Sequence, residues 1–326
     1  MGTNRTIATR FTRADLQAAV QAAVRAPSLH NTQPWRFRLR DGGVDVRADP
    51  TRQLPVADPT GWGVRIACGA AAFNLRLAWA ARGRSSLVRL RPDPGDPNLL
   101  AHLAPGPPRP ATPAEQRLFA AIPNRHSNRV PFWPDPVPPR VRSRLIEAAR
   151  AEGAWLELVI GTAAVGALAE IAHAANRVLQ RDPAYREEMA GWVRAERAAD
   201  GVPVFAAAPV PEPQDLLPQR PFADRPRTPG RDFEPEPLVA VLGVAGNTAG
   251  DQLTAGQALQ AVLLTATDAG LATSMLSQPI EVPAAREQLR LALGRFGVPQ
   301  MVLRIGYGLP GQPTPRRPID DVIDTG

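Results

Sequence analysis

Two stretches constrain the fold of this chain more than any others. The run "GVRIACGAAAFNLRLAWAAR" at 63 to 82 and the run "DQLTAGQALQAVLLTATDAG" at 251 to 270 are Ala-rich and nearly apolar on every side; Gly83 follows the first and Gly270 ends the second. A helix without a polar face cannot lie on a surface and has to be covered all round. Each run therefore predicts a central, buried helix that ends at a Gly, where a left-handed residue closes the last turn cheaply.

What precedes each helix follows a shared pattern. Thr12 can cap a helix in which Leu16, Ala19, Val20, Ala23 and Val24 fall on one face, and Pro27 stops it. Trp35, Phe37 and Leu39 then alternate with Arg, "DGG" at 41 to 43 turns the chain, and Val44, Val46 and Ala48 alternate again, which predicts a β-hairpin. Further on, "TPAE" at 112 to 115 is a capping box with Pro at the first helical position. "PVPPRVRSRLIEAARAEG" makes another amphipathic helix, and Trp155 to Ile160 a strand. Helices are expected at 163 to 180 and 183 to 198, an interior strand at "LVAVLGV" (238 to 244) and a closing strand at "QMVLRIGYG". An amphipathic helix, a Trp-containing strand and a long buried helix thus occur twice. Either the chain is a diverged internal duplication whose second copy carries an insertion at 161 to 237, or two unrelated α+β stretches share common elements. Within the insertion, residues 201 to 237 hold ten prolines and little periodicity, so a long loop or lid of extended character is expected.

Composition removes several classes of function. The net charge of +7 comes entirely from Arg, there being no Lys, but those residues are spread over the whole chain and aromatics make up only 5%, which argues against nucleic-acid binding. Cys68 is the sole cysteine, so no internal disulfide forms and a reducing, cytoplasmic location is expected. No stretch has the length and purity of a membrane span, and the N-terminus lacks a signal-peptide core. His30, His102 and His173 lack ligand-spaced partners, so no metal site is expected. "GYGLPG" at 306 to 311 spells a dinucleotide-binding loop, but Pro310 and "QPTPRRP" forbid the helix such a loop must open. No nucleophile elbow supports hydrolase chemistry.

The stretch "APSLHNTQPWRF" at 26 to 37 is unusually polar for a helix exit, and it resembles the P-S-x-x-N-x-Q-P-W signature of the FMN-dependent nitroreductase family. "RHSNRVPFWPDPVP" from Arg125 is similar to that family's R-x-S-x-R-x-F opening, and "IGYG…PRRPIDDVI" to its C-terminal G-Y-P…R-x-P end. The buried helix "GQALQAVLLTATDAGL" is similar to the family's cofactor-domain helix, so the resemblance covers most of the chain except the Pro-rich lid. In an ordinary member both motifs belong to one subunit, R-x-S-x-R first, and FMN sits at a dimer interface. Here the first half carries only the P-S-x-x-N motif and the second only the R-x-S-x-R and C-terminal Arg motifs. The order implies a fused pseudo-dimer with one complete FMN site, most similar to the Acg-type nitroreductase-like flavoproteins of actinobacteria. The implied fold is α+β: two diverged halves, 1–110 and 111–326, with antiparallel-rich sheets flanked by helices.

The resemblance also implies roles. Arg125, Ser127, Arg316 and Arg317 would hold the FMN phosphate, which suits bidentate cationic donors. Arg129 would face the ring atoms that become negative on reduction. His126 would serve through its backbone N–H or ring, as a structural group rather than an acid or base. Pro27, Ser28 and Asn31 would form a partner wall for the flavin, while Gln33 and Trp35 fix the turn; Leu29 replaces a frequent second Ser. "QPIE" at 278 to 281 resembles the segment beside the flavin ring, which brings in Pro279 and Glu281, with Val282 where Gly is usual. No protein acid or base is required. Three activities are compatible: an NAD(P)H-dependent nitroreductase passing electrons to a nitroaromatic or quinone, a lid-covered flavoprotein that sequesters FMN, and an FMN oxidase or dehydrogenase of secondary metabolism. The protein would be a monomer or a homodimer.

Overall fold

Helix starts in the computed structural model fall at the capping residues. It describes residues 12–40, 42–195, 198–210, 212, 215–220, 222–228, 234 and 237–324. The Thr12 side chain accepts from the Asp15 backbone, and the Asp15 carboxylate accepts from the Thr12 backbone, which opens α1 (Arg13–Ala23). The chain exits into β1 (Trp35–Arg40), which pairs antiparallel with β2 (Gly43–Ala48) in the hairpin register Trp35↔Ala48. The first central helix, α2 (Trp62–Ala80), follows, and Gly83 beyond it takes the left-handed conformation, φ 72°. Strands β3 (Arg84–Leu90) and β4 (Leu99–Pro108) complete this part, and α3 (Pro113–Ala121) starts from the Thr112 capping box.

The remainder runs through α4 (Pro139–Ala151), β5 (Trp155–Val159), α5 (Thr162–Arg181) and α6 (Pro183–Ala190). Helix α6 is eight residues shorter than the expected 183 to 198, because the chain turns at Gly191 and Trp192 and β6 (Val193–Arg194) pairs with β7 (Val202–Pro203) instead. After the Pro-rich segment come β8 (Leu238–Val244), the second central helix α7 (Ala249–Asp268), β9 (Ala272–Leu276) and the short α8 (Gln278–Glu281). Helix α9 (Pro283–Leu293), β10 (Val298–Gly306), α10 (Ile319–Val322) and β11 (Ile323–Asp324) end the described chain.

Both four-stranded arrays have one topology. The first sheet runs β1-β2-β4-β3 and the second β5-β8-β10-β9, all neighbours antiparallel, with a central helix between second and third strands in each. The insertion, α5, α6 and the Pro-rich segment, lies between β5 and β8. The C-terminal β11 crosses back and adds to the first sheet, parallel to β1.

Helices α2 and α7 meet backbone to backbone, which explains their small residues. A Cβ on Gly69 would stand 2.2 Å from the Leu253 carbonyl oxygen, and a Cβ on Gly256 would stand 2.2 Å from that of Ile66. The contact is reciprocal: each Gly sits on the carbonyl three residues before the other. Each helix also enters the core beside the other helix's sheet, Trp62 and Ile66 packing with the second sheet and Leu253 with the first. One buried polar pair bridges them, Gln260 Nε2 donating to Asn74 Oδ1 at 2.8 Å.

Candidate functional site

The exit of α1 is the most contorted backbone described in the chain. His30, Asn31 and Gln33 all have left-handed φ, at 51°, 57° and 52°. Asn and His tolerate that region better than most residues, yet each such position costs free energy and persists only when its surroundings enforce it. Side chains do so here. Ser28 Oγ accepts from the Gln33 backbone at 2.9 Å, and Asn31 Nδ2 donates to the carbonyls of Gly201 and Pro315. Gln33 Nε2 donates to the Ala199 carbonyl, and Gln33 Oε1 accepts from the Arg317 backbone. The turn thus ties together the insertion, the C-terminal segment and the first sheet.

A cavity opens beside it, with about 760 Å³ of empty space when the open solvent at its mouth is included. One wall is the turn itself, through Pro27, Ser28, Leu29 and His30; another is the start of α2, through Trp62, Gly63, Ile66 and Ala67. The opposite wall comes from Ser127 and Arg129, the edge strand from Ser274 to Leu276, then Ser277 and Gln278. The segment 125–129 lies along that strand, Asn128 N donating to the Thr273 carbonyl at 2.8 Å. Pro218, Gln219, Arg220 and Phe222 of the Pro-rich segment complete the lining.

Next to the turn, cations converge without anionic partners. Arg125 Nη2 and Arg316 Nη2 both approach the Arg25 carbonyl oxygen at 3.4 Å, and Arg316 also donates to the carbonyl of Ala26 and to Asn31 Oδ1. Arg125 Nε and Nη1, Arg316 Nε and His126 Nδ1 are buried without a partner. Among the described residues no carboxylate offsets Arg125, Arg129 or Arg316. Burial lowers the pKa of Arg125 to about 10. Burial, then repulsion from Arg125 and Arg25, lowers Arg316 to about 9. Burial and the same three Arg residues push His126 down to about 4, so its ring is neutral near pH 7. Arg129 is lowered to about 10 by burial, Arg220 and Arg125. Native proteins rarely bury charge unpaired, so this cluster has the chemistry of an anion site.

Of the residues pointed to by sequence, Pro27, Ser28, Ser127 and Arg129 line the cavity, and Arg125, His126 and Arg316 cluster beside it, with Asn31 bonded to Arg316. Arg317 lies elsewhere. Its guanidinium donates to the carbonyls of Gln33 and Asp321 and sits 3.6 Å from the Asp49 carboxylate, which holds it at the base of the turn. Pro279 and Glu281 are also outside the lining; their neighbours Ser277 and Gln278 take that place, while Glu281 turns inward to pair with Arg220. The start of α2 and the edge strand carry no signal of the site in the sequence, and the Pro-rich segment is expected there as a loop or lid without Arg220 and Phe222 being singled out, although an Arg and a Phe in so Pro-rich a stretch are a usable pointer.

Residues 122–307 match the family model described as the nitroreductase family. Over nearly its full length the chain is similar to the Mycobacterium tuberculosis protein named "Putative NAD(P)H nitroreductase acg": 33% identity over 317 residues, 94% of this chain and 95% of that protein. A second protein of that organism, "Putative NAD(P)H nitroreductase Rv3131", is 33% identical over 321 residues, 95% of this chain and 91% of the relative. Among solved structures, the FMN- and NADPH-dependent nitroreductase NfnB of a Sphigopyxis strain is 19% identical, with a TM-score of 0.42, covering 64% of this chain and 98% of its own.

Proposed function

Since this chain belongs to the nitroreductase family, we propose that it binds one FMN between its two halves and works as an NAD(P)H-dependent oxidoreductase. The observation that carries the reading is the set of buried, unpartnered donors on Arg125 and Arg316. A phosphate dianion fits them: it offers several acceptor oxygens to planar cationic donors and relieves the repulsion between the two guanidiniums. The relatives' names supply NAD(P)H as the electron source. The halves 1–110 and 111–326, with their matching strand order, support a fused pseudo-dimer in which the first half provides one wall and the second the main cofactor site.

Bound FMN would accept a hydride and pass electrons on, a task that needs no strong protein acid or base. The residues of this chain do the rest. Arg125 and Arg316 anchor the phosphate end, assisted by Ser127 and a neutral His126. Arg129 lies in the cavity as a cation without a carboxylate partner, so it favours added negative charge there. Ser28 presents a hydroxyl and Pro27 a flat apolar surface. Trp62, Ile66 and Met301 give the cavity apolar surface.

A second reading is favoured by one feature, the presence of Pro218, Gln219, Arg220 and Phe222 in the lining. In this variant the Pro-rich segment covers the flavin, and turnover with NAD(P)H and a nitroaromatic or quinone is slow, or the protein sequesters the cofactor. The visible spectrum during anaerobic addition of NADPH separates the two. A yellow protein that bleaches within seconds supports the reductase; one that bleaches only with dithionite supports the covered flavoprotein. A colourless protein that takes up no FMN overturns both.

A further inference from the structure

Arg220 is carried by the Pro-rich segment, yet its guanidinium belongs to the cavity. Its Nη2 lies 2.7 Å from Glu281 Oε1 and 3.3 Å from Ser277 Oγ, and its Nη1 lies beside the His30 ring. The Nε is buried without a partner. Glu281 is fully buried on α8, where the Tyr185 hydroxyl donates to its other oxygen at 3.2 Å. A reverse connection runs from Arg129, which donates to the Ala206 carbonyl and stacks 5.0 Å from the centre of the Phe222 ring. Two cations thus join the segment to the cavity, Arg220 given by the segment and Arg129 received by it, with Glu281 as the partner of Arg220; the apolar packing of Leu217 and Phe222 and the Glu234–Arg304 ion pair hold the segment as well.

We propose that Arg220 is a cation lent to the cofactor site by the Pro-rich segment, so that seating of the segment and reduction of the bound flavin strengthen each other. The proposal rests on the FMN reading above. Taking up a hydride, two electrons and one proton, leaves the bound group one unit more negative, and dithionite supplies the same electrons in a test. That charge is stabilised by cations held in a site shielded from water. Arg129 and Arg220 both qualify, but Arg220 is in place only while the segment is seated. Thermodynamic linkage then makes the effect mutual: whatever seating adds to the ease of reduction, reduction adds to the seating.

Amide hydrogen exchange on the flavin-loaded protein, oxidised and dithionite-reduced, tests this. The reporters are the amides of Val202, Ala207 and Val210, which donate to the carbonyls of Trp192, Val204 and Arg225. Exchange there is expected to slow roughly tenfold on reduction, which by reciprocity is about 30 mV of two-electron potential gained through seating. Arg220→Gln should erase the redox difference and lower the potential by a similar amount. Because that variant leaves Glu281 buried without its cation, the double variant Arg220→Gln, Glu281→Gln keeps an uncharged contact and should behave alike. Equal exchange in both redox states of the flavin-loaded wild type overturns the proposal, as does a double variant that still tightens on reduction. Failure to retain flavin at all would instead remove the FMN reading on which it rests.

Discussion

Replacing Arg125 by Met should move stability and affinity in opposite directions. Within the chain the guanidinium makes one long bond, 3.4 Å to the Arg25 carbonyl, while Nε and Nη1 are buried without a protein partner. Removing buried charge in favour of an apolar side chain of similar length is often stabilising, by about 1–4 kcal/mol where it has been measured for ion pairs. Flavin-free Arg125→Met should therefore melt higher, by roughly 2–4 °C per kcal/mol for a chain of a few hundred residues. The two orphaned donors are worth about 1.5–3 kcal/mol each once bonded to an anion. Losing them should weaken FMN binding by about two to four powers of ten. Fluorescence titration of flavin-free protein with FMN and with riboflavin reads the effect, riboflavin lacking the phosphate. Wild type should prefer FMN strongly, and the variant should show little preference. A variant that melts lower while keeping the preference would make Arg125 a structural residue and refute the anion-site reasoning.

Other expectations follow from the same geometry. Ser28→Ala, in the opposite half, should also lower FMN occupancy, by the loss of about one hydrogen bond; full retention in both Ser28→Ala and Arg125→Met would sink the composite site. Gly256→Ala places a Cβ 2.2 Å from the Ile66 carbonyl and forces the central helices apart, whereas Gly166→Ala meets nothing within 4 Å. Melting curves should show the first destabilised by at least about 1–3 kcal/mol and the second unchanged or stabilised by up to about 1 kcal/mol. The pH dependence has a definite sign. Burial, joined by neighbouring cations at Arg129 and Arg316, lowers Arg125, Arg129 and Arg316 to about 10, 10 and 9 in the folded chain, below the ordinary guanidinium range. Above these values the unfolded chain binds more protons, so flavin-free stability should rise as pH climbs through 9 to 10, without such a rise from these groups at lower pH. Denaturant titrations with and without FMN check this, since bound phosphate should flatten the rise. Finally, Phe222→Ala combined with Gln219→Ala should speed flavin reduction by NADPH in stopped flow if the Pro-rich segment covers the site; an unchanged rate would show that it does not limit access.

Local pattern was enough for much of the architecture. The helix cap at Thr12, the capping box at Thr112, the hairpin from Trp35 to Ala48 and the two all-apolar helices depend on residues a few positions apart, and each formed where the pattern put it. Gly83 and Gly270 take left-handed φ of 72° and 73° just beyond those helices, as a helix end of this kind requires. Strands β3 and β9 carried no comparable pattern, because their pairing rather than their composition makes them strands. The order of the motifs, again a property of sequence alone, brought Ser28 and Arg129 to one cavity. Contacts between distant residues were beyond that reach. The bond from Arg125 to Arg25 spans 100 positions and that from Arg316 to Asn31 spans 285. Arg316 and Arg317 make the division plain, being adjacent and chemically identical. The carboxylate of Asp49 and the carbonyl of Gln33 draw Arg317 under the turn, while Arg316 reaches the carbonyl of Ala26 and the buried cation cluster. Residue type decided that both would be charged; only the packing of the first half against the C-terminal segment decided which of them would be left without a counter-charge.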